Sequence, residues 1–167
     1  SKQHLKPESF SLGTLVENIV NTMSMDAKKH GQILTYVRGR DTDVVFADKD
    51  RINQVIVNIV SNALKYTPEG GNITVVSGKQ ENNAYIKISD TGMGIPEKDL
   101  PHIFDRFYRV DKARSRKMGG TGLGLAIAKE IIEAHEGSIS IDSVYGEGTT
   151  VTIKLPVEQT ERTESDE

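Results

Sequence analysis

The chain has 167 residues, 24 acidic and 21 basic side chains, a formal net charge of -3, and no cysteine. That balance gives no reason to expect general affinity for nucleic acid or an anionic membrane, and the missing thiols exclude disulfides and cysteine metal sites. No apolar run approaches the roughly 20 residues that cross a bilayer, and the first residues lack the apolar core of a signal peptide, so a soluble single domain with tails is expected.

Ser9–Lys29 places Leu12, Leu15, Val16, Ile19, Val20 and Met23 on one helical stripe, and "KKHG" closes it with cations and a glycine. Ile33–Arg38 and Asp43–Ala47 read as short strands joined by a turn at "GRDTD". Lys49–Tyr66 reads as a helix ended by Pro68 and "EGG". Asn72–Gly78 and Ala84–Asp90 alternate as paired strands around "QENN". Thr91–Thr121 is rich in glycine and charge, with a short helix at Glu97–Leu100. Leu123–Glu136 is helical and capped by Gly137, and Ser138–Ser143 with Thr149–Leu155 makes a last hairpin through "VYGEG". Beyond Pro156, "VEQTERTESDE" is acidic and nearly free of apolar residues, the composition of a disordered tail. Three long helices and strands that are mostly hairpin neighbours predict an α+β fold: a two-layer sandwich with the helices on one face of a mixed sheet and the other face solvated.

At about 100° per residue, Ile52, Val55, Ile56, Ile59 and Ala63 share one face of the second long helix, which must meet the sheet. Arg51, Gln54, Asn58, Asn62 and Lys65 fall on a neighbouring stripe. On most amphipathic helices such a stripe is only the wet side. Here it carries carboxamides where surface helices usually carry Glu and Lys. An amide oxygen suits a magnesium ion that keeps several waters and takes its remaining ligands from phosphate.

The strand "AYIKISD" ends at Asp90 and runs into "DTGMGI". A carboxylate at that end, followed by glycines that let the backbone turn tightly, can accept from an exocyclic amine at the bottom of a pocket. Guanine would place a carbonyl against it, so such a site favours adenine. An ordinary turn with Asp in its usual place reads the same residues equally well. "GGTGLGLAIAKEII" leads glycines directly into an apolar helix, whose free N-terminal amides suit an anion. Its spacing fits neither the Walker pattern nor a dinucleotide fingerprint, and alone it is also compatible with a plain loop before a helix. Upstream, "FDRFYRVDKARSRKM" holds Arg106, Arg109, Lys112, Arg114, Arg116 and Lys117. Those cations either meet phosphate or merely solvate a loop, while Phe104 and Phe107 are expected to pin the base of a mobile lid.

In order and spacing, the amide-bearing helix, "DTGMGI", "FDRFYR" and "GTGLGL" resemble the N, G1, F and G2 boxes of the catalytic domain of sensor histidine kinases, within the wider ATPase family that includes gyrase and MutL. The resemblance covers residues 10–156. The wording "FDRFYRVDKARSRKMGGTGLGLAIAKEIIEAHEG" is most similar to those kinases of the family that monitor cell-wall state in Gram-positive bacteria. It implies the Bergerat ATP-binding fold, with residues 1–9 the remnant of a linker and residues 157–167 a tail. It also implies ATP and Mg2+ as ligands, and transfer of the γ-phosphoryl group to a histidine. Asn62 would then hold the metal, with Asn58 on the phosphate side, Lys65 on phosphate and Tyr66 at the adenine or ribose edge. Asp90 would accept from the adenine amine with a water shared by Thr149. Gly92 and Gly94 would shape the adenine floor, with Ile95 also in the nucleotide site. Arg109, with Arg116 or Lys117, would reach the phosphates, and the amides of Gly120, Thr121, Gly122, Leu123 and Gly124 would cradle them. Asn62, Lys65 and Arg109 are the implied catalytic residues.

Hydrolytic members of that wider family carry a glutamate one turn before the magnesium asparagine. This chain has Asn58, which cannot act as a base, so water is a poor substrate and a nucleophilic histidine a better one. None of the four histidines has the family's acceptor context, a His followed by an acid and Leu-Arg-Thr-Pro. His30 and His135 read as helix-end caps. The resemblance therefore implies partners outside this sequence: the dimerisation and phosphoacceptor helices of the same parent, and a response regulator downstream. It implies a cytoplasmic domain of an inner-membrane sensor, itself monomeric and without membrane or nucleic-acid contact. Two alternatives stay open, an ATP-gated interaction module without phosphotransfer and an ATPase like the hydrolytic relatives.

Overall fold

The computed structural model describes residues 4–40, 44–110 and 124–157. Strand β1 (Glu8–Ser11) opens the fold where the sequence predicts helix from Ser9 and linker up to it. Helix α1 (Leu12–Lys29) starts after Ser11, which is extended and accepts the Thr14 amide on its hydroxyl at 3.1 Å. The apolar stripe begins at Leu12, so helical periodicity carries no information about the strand in front of it. Strand β2 (Ile33–Arg38), strand β3 (Val44–Ala47) and helix α2 (Lys49–Tyr66) follow. Next come strands β4 (Asn72–Gln80) and β5 (Asn83–Asp90), a 3-10 turn (Leu100–His102), helix α3 (Gly124–Ala134), and strands β6 (Ser138–Val144) and β7 (Gly148–Pro156). The short helix expected at Glu97–Leu100 is thus displaced toward Pro101, which suits the start of a helical turn.

The strands on either side of "GRDTD", part of which lies outside the described residues, do not pair with each other. β3 pairs antiparallel with β1, Phe10 opposite Val45, in a sheet of two strands, whereas β2 runs parallel to β4 at the edge of a five-stranded sheet ordered β2-β4-β5-β7-β6. Both strands are short and alternating, which marks a half-buried face but not which partner it joins. Every other pairing in the large sheet is antiparallel, so the sheet is mixed, as expected.

The helices cover one face of that sheet. Ile73 and Val75 of β4, Ile86 and Ile88 of β5 and Val151 and Ile153 of β7 form one core with the buried stripes of the helices. On α2 that stripe is Ile52, Val55, Ile56, Ile59 and Ala63, all buried, as the periodicity predicts. The opposite face is mixed: Thr74, Lys87 and Thr152 occupy alternate positions together with Val76 and the exposed Ile33 and Val37 of β2, and the Ser89 and Thr150 hydroxyls bond across strands at 2.9 Å. Among the described residues no helix is long and apolar enough to cross a membrane.

Candidate active site

A cavity of about 330 Å³ opens where α2, the end of β5, the segment after it, the start of α3 and the β6–β7 hairpin meet. Asn58, Asn62, Lys65 and Tyr66 reach it from α2, Asp90 from β5, Gly94, Ile95 and Arg109 from the following segment, Gly124 from α3 and Thr149 from β7. The later part of the carboxamide-bearing stripe, Asn58, Asn62 and Lys65, is therefore a cavity wall, while Arg51 and Gln54 lie outside it. It lies there because the adjacent stripe of α2 is pressed into the core.

Asp90 is the floor. It sits opposite Thr149 in the β5–β7 ladder, and its Oδ1 accepts the Gly92 amide at 2.8 Å and the Thr149 amide at 3.3 Å. Burial pushes its carboxyl above the ordinary value of 3.8, and those two amides pull against that shift. Both bonds engage Oδ1, which leaves Oδ2 as the acceptor available to a guest. Gly92 lies behind Asp90 rather than on the cavity wall; a side chain there would strike the Tyr66 carbonyl. Gly94 does line the cavity, at φ +71°, and a Cβ would collide with the Val144 carbonyl.

Sequence reasoning missed Ser143. Its hydroxyl accepts the Ile95 amide at 2.8 Å, donates to the Gly148 carbonyl at 3.0 Å and lies 2.9 Å from the Thr149 hydroxyl. It thereby ties the turn after β5 to the β6–β7 hairpin. The apolar wall was also missed: Ile88, Met93, Ile103, Leu125 and Ile141 face the cavity, and nothing in their local sequence separates them from core residues.

The two phenylalanines of "FDRFYR" differ. Phe104 is half-buried, with the Lys129 ammonium 5.2 Å from its ring centre, but Phe107 is 67% exposed and pins nothing. Its φ of +65° reverses the chain and turns the ring outward. Arg106 is paired with Glu130 of α3. Lys112, Arg114, Arg116, Lys117, Gly120, Thr121, Gly122 and Leu123 lie outside the described residues. His30 bonds its own helix, Nδ1 to the Asp26 carbonyl at 2.8 Å. His135 does more than cap: Nδ1 bonds the Ile131 carbonyl and Nε2 accepts the Asp48 amide at 3.0 Å.

Among the described residues no cluster of three or more His, Asp or Glu could cage a metal. The Asn62 amide nitrogen lies 3.9 Å from where a Cβ on Gly124 would stand, so the carboxamide faces the start of α3 across the cavity. A lone neutral oxygen donor beside a helix start fits Mg2+, which keeps waters and completes its shell with phosphate.

Residues 47–159 match the family model of histidine kinase-, DNA gyrase B-, and HSP90-like ATPases. The chain belongs to that ATPase family. This ATPase-family domain is 49% identical to the sensor histidine kinase WalK of Bacillus subtilis, over 89% of the chain and 24% of that protein. It is 44% identical to the sensor protein kinase WalK of Staphylococcus saprophyticus, over 93% of the chain and 26% of that protein. It thus spans about a quarter of these curated relatives. The solved catalytic domain of histidine kinase ThkA superposes with a TM-score of 0.80 at 27% identity, over 92% of this chain and 97% of that one. The mycobacterial sensor histidine kinase MprB gives 0.76 at 27%, over 90% and 98%. The domain is homologous to sensor histidine kinase catalytic domains, as its four motifs imply.

Proposed function

We propose that this domain binds Mg-ATP in the cavity and transfers the γ-phosphoryl group to a histidine on a separate helical domain of a larger sensor kinase. One observation carries the reading: Asp90 and Asn62, far apart in sequence, open onto the same cavity. Asp90 Oδ2 accepts from the adenine amine, with Thr149 beside it, while Ile88, Val151 and Ile141, in one row across the same face of the sheet, offer an apolar surface to the ring. Asn62 would hold Mg2+, which when bound offsets the phosphate charge; Asn58, Lys65 and Arg109 line the same cavity and would serve the phosphate side. Asn58 offers no base for water, so the reaction waits for a nucleophile that brings its own.

The parent is read as a membrane-anchored sensor of the WalK type, with this domain on the cytoplasmic side and a response regulator downstream. ThkA, a relative in fold, has been solved in complex with the response regulator protein TrrA, which supports that partner class. The chain alone should be a monomer.

Mixing the chain with the separately produced acceptor-helix domain and labelled ATP tests the proposal. Labelled phosphohistidine is expected on the helical domain, and Asn62→Ala should cut the labelling rate about tenfold or more. Tight ATP binding without label on any histidine would favour a nucleotide-gated interaction module instead.

A further inference from the structure

Asp99 is 5% exposed, a carboxylate buried in the turn that leads into Leu100–His102. Its Oδ1 accepts the hydroxyl proton of Tyr108, and its Oδ2 is buried without a hydrogen-bond partner among the described residues. A carboxylate so placed is costly, and hydration would serve it better on the surface. Tyr108 stacks on His102, ring centres 5.3 Å apart, and lines the cavity next to Arg109. One residue earlier, Phe107 holds the left-handed conformation that L side chains resist. With Phe107 turned out to solvent, Tyr108 is turned in, onto Asp99. One unfavourable feature, the half-bonded buried Asp99, is thus at one end of that hydrogen bond and the other, the Phe107 backbone, is the residue before its other end; such strain persists where neighbouring contacts over-determine it.

We infer that Asp99 is a positioning residue: through the Tyr108 hydroxyl it anchors the chain beside the cavity and so sets where the Arg109 guanidinium meets the phosphates. Asp99 itself touches no substrate. The bond to Asp99 first, and then burial, hold the Tyr108 phenol above its usual range, as expected of a hydroxyl that donates to a carboxylate. A phenylalanine at 108 would fill the same space and stack on His102, yet leave Asp99 with neither oxygen bonded. The inference rests on the reading of the cavity as an ATP site with Arg109 on the phosphate side.

A double-mutant cycle on the whole chain, read as Mg-ATP affinity by calorimetry, decides it. Tyr108→Phe is expected to weaken binding about tenfold in the parent chain and to change it little once Arg109→Ala is present. Asp99→Leu should copy Tyr108→Phe, while Asp99→Asn, which keeps an acceptor, should restore most of the affinity. Equal loss from Tyr108→Phe in both backgrounds, or loss in neither, overturns the inference and leaves the nucleotide site standing. A parent chain that binds no ATP removes both readings. Should Asp99→Leu fail to fold, the Tyr108 and Arg109 cycle is sufficient by itself.

Discussion

Asp90 is a carboxylate that burial works to neutralise and two backbone amides work to keep charged, and burial prevails. Its folded-state proton affinity exceeds that of the unfolded chain, so the stability linked to that proton is complete below the ordinary 3.8 and is lost as pH rises through the raised value. The proposed adenine recognition runs the other way, since an ionised carboxylate is the stronger acceptor for the amine. ATP affinity should therefore decline on acidification sooner than an unperturbed carboxylate would allow. Asp90→Asn keeps the size, loses an acceptor, and should both weaken ATP binding about tenfold or more and flatten this pH dependence. Calorimetric titrations across the acid range check it; an affinity unchanged by the substitution would refute the adenine role. Asp90 was legible because a strand end followed by glycines is a local signal. Ser143 was not, because a serine within an alternating strand reads as surface, and its three partners arrive from the hairpin turn and from the other end of the site.

Helix α2 carries the asparagines, and it is held at both ends by groups from elsewhere. At its start Asp48 accepts the Arg51 amide at 3.3 Å and the Lys6 amide at 2.9 Å, while its own amide donates to His135 of the segment after α3. At its far end the buried Gln32 amide donates to the Leu64 carbonyl at 2.7 Å and the Thr67 carbonyl at 2.6 Å. Both are carbonyls that no further turn of helix can satisfy. Gln32→Ala should cost about 1–3 kcal/mol in urea unfolding by leaving them buried without a donor. Because Lys65 and Tyr66 lie in that last turn, ATP affinity should weaken as well. A stability unchanged by Gln32→Ala would show that water replaces the side chain there. Neither the Asp48 cap nor Gln32 was read from the sequence; an acid before an apolar period is a local signal that could have shown the first, whereas the carbonyls that Gln32 serves are more than thirty residues away.

The whole molecule gathers its site from five segments, and none of them completes the proposed chemistry alone. Asp90, Asn62 and Arg109 line the cavity as the proposed purine acceptor, metal ligand and phosphate-side cation, yet the helix position that would need a base holds Asn58. No histidine of the chain stands in an acceptor motif. The isolated domain should therefore bind ATP and release free phosphate only very slowly, as measured by a coupled phosphate assay. Robust turnover without any added partner would make it a hydrolase and overturn the assignment to phosphotransfer.

By itself the sequence determined the bounds of α2, the β4–β5 and β6–β7 hairpins, and the position of Asn58 and Asn62 on one helical stripe and of Asp90 at a strand end. Each is encoded by periodicity, capping or turn chemistry within a few neighbours. Only the tertiary structure decided that β3 leaves β2 to pair with β1, that Phe107 faces solvent, and that Ile88 and Ile141 line a cavity instead of closing it. Those outcomes depend on which distant surfaces meet. An isoleucine carries the same local pattern whether the space beside it is filled by a neighbour or left open for a ligand.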